Sequence, residues 1–198
     1  MSTVYQLEYP PQMLVSKIPP NTVFMFDIDE TIVTYDEDSS VWRPLHPDMK
    51  NWLSQIISLG HPICFVTARL PPTDGTTETI VFEYLGMNNI CKPCITKHTG
   101  IPLMTYTSGN LKGPWVRNIV TAYKFIGYSN FIFMDDRVTQ LLDVQAYCPE
   151  VVGVWISSHS LEKNMINKYN PPANQESAFV SPLSPLSPLS PTAPRLLL

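Results

Sequence analysis

Asp27 and Asp29 stand two residues apart, directly after the apolar run Val23-Phe24-Met25-Phe26. A carboxylate at that position can attack phosphorus and form an aspartyl-phosphate, which divides a difficult hydrolysis into two easier steps. Asp27 is the candidate nucleophile. Asp29, at the same strand end, is the candidate general acid and base: it protonates the leaving oxygen, then activates water against the acyl-phosphate. Phosphoryl transfer also needs the phosphate charge neutralised, because an enzyme accelerates it mainly by positioning and electrostatics.

Three later segments supply groups of that kind. Phe131-Ile132-Phe133-Met134 ends on Asp135-Asp136, and these carboxylates suit Mg2+, which takes a few oxygen ligands and keeps some water. Ligands for Mg2+ are expected among Asp27, Asp29, Asp135 and Asp136, together with a backbone carbonyl. Lys112, within Ser108-Gly109-Asn110-Leu111-Lys112-Gly113, offers a positive point charge to nucleophile and phosphate. Gly109 and Gly113 would let the backbone approach the anion, and the helix that follows would aim its positive end there. Thr67, closing Ile63-Cys64-Phe65-Val66, offers a hydroxyl and an N–H to a phosphoryl oxygen. Each group taken singly has an ordinary structural reading: acidic helix caps, a solvated lysine, a strand-end hydroxyl serving a turn. Their order along the chain favours the chemical one. Arg69 and Arg137 suit substrate contact or surface ion pairing equally, and His46, His61, His98 and His159 show no ligand spacing.

Strands and helices must alternate to bring these groups together. Val23 to Ile28, Ile63 to Val66, Ile101 to Thr105, Phe131 to Met134 and Val151 to Ile156 read as strands. Met49, Trp52, Leu53, Ile56 and Ile57 follow helical periodicity up to Gly60. Further helices are expected over Thr76–Leu85, from Pro114 toward Gly127, and over Val138–Ala146. Such alternation predicts an α/β fold, a mostly parallel five-stranded sheet covered on both faces. In such sheets ligands collect at the carboxyl ends of the strands, where Asp27, Asp29, Thr67, Asp135 and Asp136 all fall.

The chain has 198 residues, 44% of them hydrophobic, and a formal charge of −4, which suits one core and argues against a broad nucleic-acid surface. No apolar stretch approaches the roughly 18 residues of a membrane span. The N-terminus lacks a signal-peptide pattern, so the expected compartment is the cytoplasm, of the producing cell or of a host cell. Residues 1–19 read as an irregular arm, 20–158 as the catalytic domain, and 159–198 as a disordered tail. In that tail Ser-Pro-Leu recurs from Ser181, with proline at every third residue; it is a tether or a docking element for a protein partner. Cys91 and Cys94 form a CxxC with His98 nearby, which reads as half a zinc site, a redox pair or reduced thiols in a connector; a structural zinc usually takes four protein ligands, and the sequence has no second paired motif.

Asp27-Ile28-Asp29-Glu30-Thr31, the Thr67 strand, Lys112 and Asp135-Asp136 together resemble the haloacid dehalogenase-like (HAD) superfamily, over roughly residues 21–156. The resemblance implies a Rossmann-like three-layer sandwich with strand order 5-4-1-2-3 and an Mg2+-dependent aspartyl-phosphate mechanism. It gives Asp27 as nucleophile, Asp29 as acid/base, Thr67 and Lys112 as phosphate contacts, and Asp135 as the chief metal ligand. Members that cleave carbon–halogen bonds lack the second aspartate, so Asp29 implies phosphoryl chemistry. Tyr106 to Gly113 is also similar to a poorly characterised group of the superfamily common in bacteria that live inside host cells. The gap from Thr31 to Ile63 holds a short flap, about Tyr35 to Leu45, and one helix; that from Thr67 to Lys112 holds a helix, a connector and a strand. Neither holds a separate cap domain; among superfamily members that openness suits substrates as bulky as phosphoproteins or nucleic-acid ends, while other capless members close the site through oligomerisation or partner binding and act on small molecules. The expected activity is phosphomonoester hydrolysis. The alternatives are a phosphotransferase of the same fold and a non-catalytic binding module that uses the tail.

Overall fold

The computed structural model describes residues 4–7, 17–38, 40–71 and 102–156. Along these the strands are β1 (Val4–Leu7), β2 (Thr22–Phe26), β3 (Val33–Asp36), β4 (Val41–Pro44), β5 (Ile63–Thr67), β6 (Met104–Tyr106), β7 (Asn130–Asp135) and β8 (Val151–Ile156). The helices are α1 (Met49–Ser58), α2 (Gly113–Phe125) and α3 (Val138–Tyr147). The expected helix over Thr76–Leu85, the Cys91/Cys94/His98 group and the Ser-Pro-Leu tail lie outside the described residues.

The main sheet runs β1-β8-β7-β2-β5-β6, with every pairing parallel. Its five inner and right-hand strands stand in the order 5-4-1-2-3 among themselves. β1 is a correction to the sequence reading: part of the expected irregular arm is a sixth strand, with Val4 opposite Gly153 and Leu7 opposite Ile156. Four residues are too few to show a periodicity, and what holds them as a strand is the open hydrogen-bonding edge of β8, a partner about 150 residues away in sequence.

Alternation along the strands divides the core into two layers. Phe24 and Phe26 of β2, Ile63 and Phe65 of β5 and Met134 of β7 face one side, where Met49, Trp52, Leu53 and Ile56 of α1 cover them. Val23, Met25, Cys64, Val66, Phe131 and Phe133 face the other, under Val116, Ile119, Val120 and Tyr123 of α2 and Leu141 and Val144 of α3. That is a three-layer α/β sandwich. Strands buried on both faces account for the unbroken apolar runs in the sequence.

Both long connections end as the sequence predicts. Gly60 and Gly127 adopt φ of 81° and 98°, the left-handed conformation that costs glycine least. Each closes a Schellman turn: Gly60 N–H to Ile57 O and His61 N–H to Ile56 O after α1, Gly127 N–H to Lys124 O and Tyr128 N–H to Tyr123 O after α2. The Tyr123 and Tyr128 rings meet edge to face at 5.3 Å, the apolar contact that accompanies such a cap.

The expected flap is an antiparallel hairpin, β3 against β4, with Tyr35 opposite Trp42. It leaves the main sheet through a tight turn in which Ile32 and Val33 N–H both donate to Ile28 O, and Glu30 takes φ 53°. The hairpin and α1 fill the gap between Thr31 and Ile63. Among the described residues there is no separate cap domain and no helix long and apolar enough to cross a membrane.

Candidate active site

The chain leaves β2 for β5 in one direction and β7 for β8 in the other, so the winding reverses between β2 and β7. A crevice opens at the carboxyl ends of the strands at such a switch point. Asp27 follows β2 there, its N–H donating to Met134 O at 2.8 Å, and Asp135 ends β7 beside it. One ligand atom from each of Asp27, Asp135 and Asp136 lies within 4.8 Å of the other two.

Lys112 reaches this cluster from the far edge of the sheet, because α2 crosses back from β6 toward β7. Its ammonium stands 2.6 Å from Asp27 Oδ1 and 2.7 Å from Asp135 Oδ2, and all three side chains are buried. Lys112 itself has no exposed surface, so the ion pairs act in a region of low dielectric where each is strong. Asp135 Oδ1 accepts the Arg137 N–H at 2.9 Å, and Trp155 of β8 donates its indole N–H to Asp136 O at 2.8 Å.

Burial is the main influence on these carboxyls. It raises Asp27 to about 6, against the lowering effect of Lys112 and with a further rise from Asp135. Asp135 is raised by burial, offset by Lys112; Asp136 is raised by burial and by the charge of Asp27. Three carboxylates against one ammonium leave two formal negative charges, and the donors are all hard oxygens. That set fits a divalent cation such as Mg2+.

A consequence follows for stability. An Asp27 carboxyl raised to about 6 holds its proton in the native state over a range where the unfolded chain has lost it. The native state therefore binds more protons between about pH 4 and pH 6, and stability of the metal-free protein falls as pH rises through that window. Asp135 and Asp136 act in the same direction. A cation competing with those protons should stabilise more as pH rises. Thermal unfolding with Mg2+ and with EDTA should show a larger difference near about pH 7.5 than near about pH 5; no difference at either pH would mean the cluster does not bind the ion.

Asp29 departs from its expected place among the ligands. Its carboxylate is outside the cluster and is gripped by Arg69: Nε stands 2.8 and 3.1 Å from its two oxygens, and a terminal nitrogen of the same guanidinium also bonds Oδ1. The Arg69 guanidinium rests on the Trp42 ring, 4.4 Å from its centroid. Thr67 lies at the same sheet end, but its hydroxyl accepts the Arg69 N–H at 3.2 Å, as a turn-serving hydroxyl does. It keeps a hydrogen to donate. The Thr107–Asn110 turn docks on this loop through Thr107 N–H to Thr67 O and Gly109 N–H to Ala68 O.

The start of α2 differs too. Its first amides do not face the cluster's opening: Lys112 N–H donates to Gln140 Oε1 at 3.0 Å and Gly113 N–H to Asp143 Oδ2 at 2.6 Å. Gly113 is needed for close approach to α3, not to an anion. A Cβ there would lie 2.4 Å from Tyr147 Cδ2, 2.6 Å from Asp143 Oδ2 and 2.9 Å from Asp143 O. Gly113→Ala should therefore cost about 1–3 kcal/mol through overpacking, read from urea unfolding; an unchanged midpoint would mean the two helices separate freely.

Gln140, Asp143, Trp155 and Trp42 are the positioning residues the sequence reading passes over. Gln140 carried a signal, a polar residue beside Leu141 and Val144 on the buried side of α3. His61, by contrast, is structural, buried with Nδ1 3.2 Å from Thr22 O and its ring against Phe24.

Compared with known proteins, the chain matches no family model and no curated sequence.

Proposed function

We propose that the protein is an Mg2+-dependent phosphomonoester hydrolase of the HAD type, working through an aspartyl-phosphate on Asp27. The observation that carries this reading is the pair Asp27 and Asp135, buried about Lys112 at the switch point of the sheet, with half-buried Asp136 beside them. Burying the three charged groups Asp27, Lys112 and Asp135 is costly, and nothing in the packing of the sandwich requires it. Phosphoryl transfer does.

Mg2+, held by Asp27, Asp135 and Asp136, would neutralise charge on the transferring phosphoryl group. In the first step an Asp27 oxygen attacks phosphorus while the bond to the leaving oxygen breaks, and that oxygen takes a proton from Asp29. In the second, water attacks the same phosphorus, gives its proton to Asp29, and the Asp27 carboxylate departs. Lys112 fixes the Asp27 carboxylate and balances charge on both carboxylates between turnovers. Thr67 donates its hydroxyl hydrogen to a phosphoryl oxygen while its own oxygen stays tied to the loop.

Hydrolysis of an aryl phosphate tests the reading. Turnover should require Mg2+, vanish with EDTA and return when Mg2+ is restored. Turnover that persists in EDTA would remove Asp135 and Asp136 from their assigned role.

A further inference from the structure

Arg69 occupies both oxygens of the side chain proposed as general acid and base. Asp29 can serve a leaving oxygen only when at least one of its own is released. Among the described residues the guanidinium has one other seat, the face of Trp42, and Trp42 is itself held by Tyr35, whose ring centroid is 5.2 Å away on the opposite strand of the hairpin. Cation–π attraction depends little on rotation about the ring normal. The guanidinium can therefore swing its donor edge away from Asp29 and keep its place on the indole.

What it swings toward must carry negative charge. Two parallel charge-assisted hydrogen bonds to a carboxylate are matched only by another anion able to accept a fork of donors. A phosphoryl group on Asp27 would face Lys112, whose ammonium is 2.6 Å from Asp27 Oδ1, and the carboxylate cluster. Arg69 lies on the Asp29 side, where the leaving group departs, and its side chain is 18% exposed against 38% for Asp29. Both are within reach of a bound molecule.

We propose that Arg69 is a specificity-determining residue that selects phosphomonoesters with a second anionic group on the leaving side. Such a group draws the guanidinium from Asp29 and thereby frees the acid/base. The inference rests on the phosphohydrolase reading above. Without such a group the Arg69–Asp29 pair stays closed in the first step, so an alkyl ester reacts slowly, whereas an activated aryl phosphate, whose phenolate departs without a proton, still turns over.

The test compares 2-phosphoglycolate with 2-hydroxyethyl phosphate, which differ in the carboxylate, and uses an aryl phosphate as a control for activity itself. Wild type should prefer phosphoglycolate by about tenfold or more in kcat/KM, since the site is built to bond the charge. Arg69→Met should abolish that preference, largely through a raised KM for phosphoglycolate. Arg69→Lys keeps the charge but loses the fork; it should retain only part of the preference, and it gives the answer if Arg69→Met fails to fold. Equal kcat/KM for the two esters in wild type, or an undiminished preference in both variants, would overturn the proposal while aryl phosphate turnover leaves the hydrolase reading standing. No turnover of any of the three would overturn both.

Discussion

Asp27→Asn should lower turnover about 10³-fold or more, because it removes the nucleophile itself and leaves only positioning and charge stabilisation. The variant should nevertheless fold. Asparagine has the shape of aspartate without its charge, and burial already disfavours that charge, raising Asp27 to about 6. Lys112 keeps its second partner, Asp135 Oδ2, at 2.7 Å. The expected result is thus a native-like unfolding transition with activity close to background. Steady-state kinetics and urea unfolding of the same preparation check both halves. Turnover near wild type would end the covalent mechanism; an unfolded variant would show that the Asp27–Lys112 pair is structural first.

Lys112→Met should produce the largest loss of stability. Methionine matches the length of the lysine stem but leaves two buried carboxylates facing each other without their ammonium. Breaking a buried pair in this way costs about 3–5 kcal/mol, most of it the penalty on the charges left behind. Mg2+ should recover part of that loss, since a cation at Asp27, Asp135 and Asp136 replaces the missing positive charge. Urea unfolding near neutral pH, with EDTA and with Mg2+, measures both effects. A variant as stable as wild type in EDTA would show that the carboxylates find another counter-charge or accept protons without cost.

The layers of this fold are legible in the sequence because burial leaves a simple trace. Phe24, Met25 and Phe26 are apolar on both sides of the sheet, Trp52, Leu53 and Ile56 recur at helical spacing, and Gly60 and Gly127 mark helix ends that only a left-handed residue closes cheaply. Asp27, Lys112 and Asp135 are legible for a related reason. Each is a charged residue at the end of an apolar strand or the start of a helix, and parallel topology brings those ends together.

What escaped the reading depends on partners distant in sequence. β1 is a strand because β8 has a free edge, a fact that four residues cannot carry. Arg69 follows Thr67 by two positions, yet its partner is Asp29, forty residues earlier, and its seat is Trp42 on the hairpin. The amides at the start of α2 could have faced an anion on local grounds; Gln140 and Asp143 take them instead. In each case side-chain chemistry was visible and the pairing was not. The Asp29 carboxylate, expected among the metal ligands, stands against Arg69 for the same reason.

The most direct measurement of the central claim is to trap the covalent state. Acid quenching during turnover of an aryl phosphate, followed by borohydride, reduces an aspartyl-phosphate to homoserine while free aspartate is untouched. Mass spectrometry of the peptide that spans Phe26 to Thr31 then identifies the position. Homoserine at Asp27, dependent on Mg2+ and absent without substrate, is the predicted result. Continued release of phosphate with Asp27 unreduced, or reduction at another carboxylate, would contradict the account.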